Sequence, residues 1–205
     1  MKKVTLLSQV DTVKCIGCRI CEKVCPVVAI KVSEKKAKVD AQSCRGCTNC
    51  ESRCPTFAIK MIRRTDPFTV GVDVSKFPAI KIKELCDKAH FNVEQVLCYC
   101  TGVRAEEVAA AILDGAKTPE EISSRTGIRT GCTIECIQTI LRILEAAGIR
   151  PEPPIADGWQ WYGQTVTAWT LDPQMDKKYS SRGFYFDEDK KLLNRITAAQ
   201  LQGDK

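Results

Sequence analysis

The chain has 205 residues, 44% of them apolar and 27% charged, which fits a globular protein of one or two domains. No stretch approaches about 18 consecutive apolar residues, and the basic start lacks an apolar core of signal-peptide length. Neither membrane insertion nor export is therefore expected, and the chain is placed in the cytoplasm. The formal charge of +6 is uneven: residues 1–64 hold 14 Lys and Arg against 5 Asp and Glu, and residues 65–205 hold 17 against 20.

Thirteen cysteines accompany a single histidine, His90. In a reducing compartment so many thiols need a use other than disulfides. One histidine excludes two-histidine zinc fingers, Rieske centres and two-histidine iron sites, so any bound metal must be held by sulfur. Thiolates favour zinc, copper(I) or iron–sulfur clusters, and spacing has to choose among them.

In chain order, the first cysteines are Cys15, Cys18, Cys21 and Cys25, followed by Pro26. Displaced by 29 residues, Cys44, Cys47, Cys50 and Cys54, followed by Pro55, repeat the same C-x2-C-x2-C-x3-C-P pattern. Gly17/Gly46, Glu22/Glu51 and an Ala-Ile-Lys after each proline also match, which marks a duplicated unit. Val27–Val32 and Thr56–Ile62 alternate as short strands, with Val4–Leu7 a partner.

This segment resembles the bacterial two-cluster ferredoxins. The resemblance implies one [4Fe–4S] cluster on Cys15, Cys18, Cys21 and Cys54, and a second on Cys44, Cys47, Cys50 and Cys25, the fourth cysteine of each run serving the other cluster. Gly17 and Gly46 are expected to let the backbone approach the inorganic core, and Pro26 and Pro55 to turn the chain after the last ligand. Paired structural zinc sites are the alternative use of such cysteine pairs.

Past Arg63-Arg64-Thr65-Asp66-Pro67 the pattern turns helical, so residues 1–64 form the first domain, 65–84 a linker and 85–150 a second domain. Asn92 with Gln95 offers a helix start, and Thr118-Pro119-Glu120-Glu121 is a capping box. Helices are expected near 80–89, 103–114, 119–126 and 133–147, stopping at Gly115 and Gly148. Ile134, Ile137, Ile140, Leu141 and Leu144 form a core stripe on the last of them.

Cys98 and Cys100 precede one of these helices, and Cys132 and Cys136 begin another, where the positive end of the helix dipole favours an anionic cluster. The pattern is similar to the [2Fe–2S] domain of bacterioferritin-associated ferredoxins. It implies a [2Fe–2S] cluster on Cys98, Cys100, Cys132 and Cys136, with the departure that the second pair reads Cys-x3-Cys rather than Cys-x2-Cys. Cys86 remains without a cluster, either a buried small side chain on its helix or a substitute ligand. A zinc site in the same four cysteines is an alternative. A DNA-reading helix-turn-helix is disfavoured because its recognition helix would be apolar with Arg142 alone.

Residues 151–158 read as a stiff Pro-rich linker. The tail, 151–205, holds eight of thirteen aromatics: Trp159, Trp161, Tyr162, Trp169, Tyr179, Phe184, Tyr185 and Phe186. With few aliphatic residues beside them they are expected to dock, either on another subunit or back over the first domain. Leu192, Leu193, Ile196 and Leu201 suggest a short surface helix.

The fold class expected is α+β: a small ferredoxin-like dicluster domain, then an all-α helix-turn-helix-like [2Fe–2S] domain, then an irregular tail. No phosphate loop, nucleophile elbow or dinucleotide fingerprint is present, so no catalytic residue is assigned. By resemblance, such fused modules look like small electron-transfer subunits of flavin-dependent oxidoreductase complexes. The expected partners are an FAD-containing flavoprotein subunit and another electron carrier in a hetero-oligomer, with no nucleic acid. The other function class is metal delivery or sensing through the middle cysteine site.

Overall fold

A computed structural model describes residues 1–133, 135–153, 162, 163 and 165–199. Ile134, Trp159, Trp161 and Leu201 therefore lie outside the described residues. The chain is mixed α and β. Among the described residues no helix is long and apolar enough to cross a membrane.

The first unit is closed by its two outer strands, β1 (Lys2–Val10) and β4 (Ile59–Val70), paired antiparallel from Lys2↔Val70 to Val10↔Ile59. The ladder slips between Val4↔Phe68 and Leu6↔Arg63. That irregular stretch of β4 contains Pro67, which lacks the N–H a regular ladder would need. Between these strands lies the hairpin β2 (Ile30–Ser33) and β3 (Lys36–Val39), whose turn residues Glu34 and Lys35 both take positive φ, as a two-residue hairpin turn of type I′ requires. Each cysteine run contains one short helical turn, α1 (Ile20–Lys23) and α2 (Asn49–Ser52).

The duplication is visible in the hydrogen bonds. Asp11 accepts from the backbone N–H of Val13 and Lys14, and Asp40, 29 residues on, accepts from that of Gln42. The copies also interlock: Asp11 N–H donates to the Ala58 carbonyl at 2.7 Å, and Asp40 N–H to the Ala29 carbonyl at 2.7 Å. The start of each copy is thereby tied to the end of the other.

The second unit begins earlier than the sequence suggests. Residues 65–70 continue β4, Asp73 caps a 3-10 turn at Val74–Lys76, and α3 (Ala79–Lys88) buries Ile82, Leu85 and Cys86 against the helical core. The expected linker 65–84 is thus strand and packed helix, and Val72, Val74 and Phe77 join the core. Asn92 starts no helix: its carboxamide oxygen accepts from Glu94 N–H in a turn leading into β5 (Val96–Cys98), which pairs with β6 (Val103–Arg104). The helical unit therefore carries a small ladder and is not all-α.

Then follow α4 (Ala105–Leu113), α5 (Pro119–Thr126) and α6 (Ile137–Ala146). Thr118 Oγ1 accepts from Glu121 N–H at 3.2 Å, and Gly127, φ 80°, ends α5 in the left-handed conformation that glycine alone adopts freely. Val108, Ile122, Ile128, Ile140, Ile143 and Leu144 fill the core. The tail is not irregular throughout: α7 (Gln174–Tyr179) and α8 (Phe186–Ala198) form in it. Its described residues fold back on the helical unit. Trp169 stacks on His90, and Asn92 donates to the Ala199 carbonyl at 2.6 Å.

Candidate metal centres

Interlocking explains which cysteines meet. Because Asp11 binds Ala58, the end of the second copy lies beside the first loop, and Cys15, Cys18, Cys21 and Cys54 line one hollow with Ile16, Gly17, Val32, Ala37 and Ile59. Reciprocally, Cys25 packs in one small cluster with Cys44 and lies within electrostatic reach of Cys47 and Cys50. Cys98, Cys100, Cys132 and Cys136 line a second hollow. Cys86 lines neither of the two hollows; it is fully buried on α3 in the helical core.

Backbone amides are aimed at several of these sulfurs. Ala29 N–H donates to Cys25 Sγ at 3.2 Å and Ala58 N–H to Cys54 Sγ at 3.3 Å, a symmetric pair, while Ala37 N–H reaches Cys15 Sγ at 3.4 Å. Such bonds stabilise thiolates and tune whatever they ligate. In the Cys54 thiol they outweigh burial, and its pKa falls below the ordinary value.

Elsewhere burial dominates. It pushes Cys21 up to about 12, with the charge of Cys50 adding to it, and Cys25 up to about 11; Cys50 rises for the same reason. In the helical unit Cys136 donates to Cys98, so Cys98 falls to about 5 and Cys136 rises. Buried thiols that raise one another's pKa ionise together only around a positive charge. Among the described residues no three Cys, His, Asp or Glu side chains close on a point that could hold a single metal ion. Four sulfurs standing around a hollow, with a pure thiolate donor set, fit an iron–sulfur core.

Gly17, which lines the hollow of Cys15, Cys18, Cys21 and Cys54, and Gly46 also meet a second constraint. Both have positive φ, and a Cβ at Gly17 would lie 2.5 Å from the Lys35 carbonyl oxygen, one at Gly46 2.7 Å from that of Leu6. The close approach is to a neighbouring strand and hairpin.

Several contributors lie outside the cysteine pattern. Arg64 donates to the Leu6 and Cys44 carbonyls at 3.1 and 2.9 Å and props up the second loop. Arg129, φ 64°, offers backbone N–H to the Cys98 and Cys136 thiols while its guanidinium pairs with buried Glu120, which Tyr162 also approaches. Lys2 lies between the units: burial lowers its pKa, opposed by the thiols of Cys47, Cys98 and Cys44. Extending the 29-residue offset back to Asp11 and Asp40 reveals part of this from sequence; the contacts between units have no local signature.

Residues 14–58 match the family model of the 4Fe-4S dicluster domain, and residues 96–146 that of the BFD-like [2Fe-2S] binding domain. No curated protein and no solved structure matches the chain.

Proposed function

We propose that this chain, which joins a 4Fe-4S dicluster domain to a BFD-like [2Fe-2S] binding domain, is an electron-transfer subunit that relays single electrons and contributes no catalytic residue of its own. The observation that carries the reading is the grouping of its cysteines: twelve of thirteen fall into three sets of four, each set gathered from two separate stretches of chain. Cys15, Cys18, Cys21 and Cys54 would hold one [4Fe–4S] cluster, Cys44, Cys47, Cys50 and Cys25 the second, and Cys98, Cys100, Cys132 and Cys136 the [2Fe–2S] cluster. When bound, these groups supply one-electron redox couples.

The protein's own part is to hold the sulfurs, donate N–H groups to them and set their exposure. Cys18, Cys100 and Cys132 are exposed, which suits exchange of electrons with partners, whereas Cys21, Cys44, Cys98 and Cys136 are buried. The partners in this reading are an FAD-containing oxidoreductase subunit and a second carrier. Phe184, Tyr185, Leu192 and Ile196 remain exposed on the tail and suit contact with another subunit.

Exposure of Cys100 and Cys132 also favours a second reading, delivery or sensing of a metal by the helical unit. Anaerobically purified protein separates the two. The relay requires about ten irons per chain and three reducible signals; iron near eight with zinc or copper in the helical unit supports delivery and overturns the relay.

A further inference from the structure

Among the described residues, the second cysteine loop, β1 and β4 of the duplicated domain meet the helical unit. Arg45, inside the second cysteine loop, donates from Nε and Nη2 to the Ser124 carbonyl on α5 at 3.0 and 2.9 Å, and from Nη2 to Ser124 Oγ at 3.0 Å. Lys2, on β1, donates to the Thr130 carbonyl at 3.2 Å, two residues before Cys132, and its stem packs on Gly127. The N-terminal ammonium adds a 3.8 Å ion pair with Glu107 on α4.

Repeat symmetry supplies an internal control. The residue displaced by 29 positions from Arg45 is Ile16, in the first loop, and it faces water at 62% exposure. Val13, two residues before Cys15, and Phe57, three after Cys54, are 90% and 78% exposed. Arg45 thus turns the second loop toward the helical unit, whereas its counterpart Ile16 faces water. Cys21 and Cys50, one from each set, lie within electrostatic reach of each other, so the two sets of the first unit adjoin.

We infer that Lys2 and Arg45 form the junction across which an electron passes between the units, with the Cys44, Cys47, Cys50 and Cys25 set on one side and the Cys98, Cys100, Cys132 and Cys136 set on the other. The Cys15, Cys18, Cys21 and Cys54 set is then the outer terminus of a linear order. This rests on the relay reading. One electron leaves the reduced centre of the one set and reduces the oxidised centre of the other, with no bond made or proton moved. A reduced flavin supplies the electron.

The test uses the holoprotein and a flash-generated flavin radical as one-electron donor, following re-equilibration between [4Fe–4S] and [2Fe–2S] absorbance. Lys2→Gln with Arg45→Gln should slow that phase by about tenfold at unchanged iron content, and Val13→Gln, on the exposed side of the first loop, should leave it alone. In parallel, relaxation of the [2Fe–2S] EPR signal in fully reduced protein should respond to Cys47→Ser and not to Cys18→Ser, which decides the order even where a junction variant loses iron. Re-equilibration indifferent to the double substitution, or equal sensitivity to Val13→Gln or Cys18→Ser, overturns the junction alone. No re-equilibration in the unsubstituted holoprotein overturns the relay and the junction together.

Discussion

The guanidinium of Arg129 donates to Glu120 Oε1 at 3.0 Å, with the two side chains only 2% and 5% exposed. The pair sits behind the cysteines of the helical unit, because the Arg129 backbone faces the thiols of Cys98 and Cys136. A buried ion pair adds little over apolar residues of the same size, but removing one partner strands the other charge. Glu120→Ala should therefore cost about 3–5 kcal/mol in denaturant unfolding of the holoprotein. The double replacement Glu120→Leu with Arg129→Met should cost less than that single one. A double variant as unstable as the sum of the singles refutes this account.

Cross-ligation makes a prediction that no single substitution tests. Cys54 lines the hollow of Cys15, Cys18 and Cys21, so Cys54→Ser and Cys18→Ser should perturb the same [4Fe–4S] EPR signal, and their combination should do no more than either. Cys54→Ser combined with Cys47→Ser should instead perturb both signals. If Cys54→Ser behaves as a partner of Cys47 in this comparison, each run holds its own cluster.

Cys86 is fully buried, and burial pushes its thiol up to about 12. It behaves as a small apolar side chain. Cys86→Ala should leave the iron content unchanged and destabilise by about 1 kcal/mol, the usual cost of a small core deletion. Loss of about two irons per chain would instead make Cys86 a ligand.

Much of the architecture was legible where chemistry or capping is local. The cysteine runs and the limits of α5 follow from residues within a few positions of one another, as with Thr118 and Glu121, and the 29-residue offset from comparing one run with the other. The 65–84 stretch was misread because Pro67 looks like a boundary, yet it falls where the ladder is already irregular. β5 has three residues, too few to show a period of two. Lys2 and Thr130 are 128 positions apart, and no pattern along the chain signals their meeting. The tail's docking drive was readable in its aromatics; its destination was not, since His90 and Arg142 become a landing surface only after α3 and α6 pack.

That landing surface makes the last prediction. The rings of Trp169 and His90 stack at 4.4 Å between centroids, Arg142 lies 4.9 Å from the Trp169 ring and 4.1 Å from that of Phe91, and Trp169 Nε1 donates to Asn194 at 2.8 Å. Burial lowers the His90 pKa, helped by the charges of Arg142 and Lys190. An undocked His90 takes up its proton near the ordinary value of about 6.5, whereas the docked ring resists it to lower pH. The contribution of this contact is therefore fully present above about 6.5 and is lost as pH falls toward the docked pKa. Limited proteolysis of the tail should be slow at pH 8 and faster at pH 5.5 under a protease active at both. Trp169→Ala should weaken docking by about 1–2 kcal/mol, from the lost stack and cation–π contact, and should flatten the pH dependence. Cleavage that is equally fast at both pH values in the unsubstituted protein would show that His90 does not hold the tail.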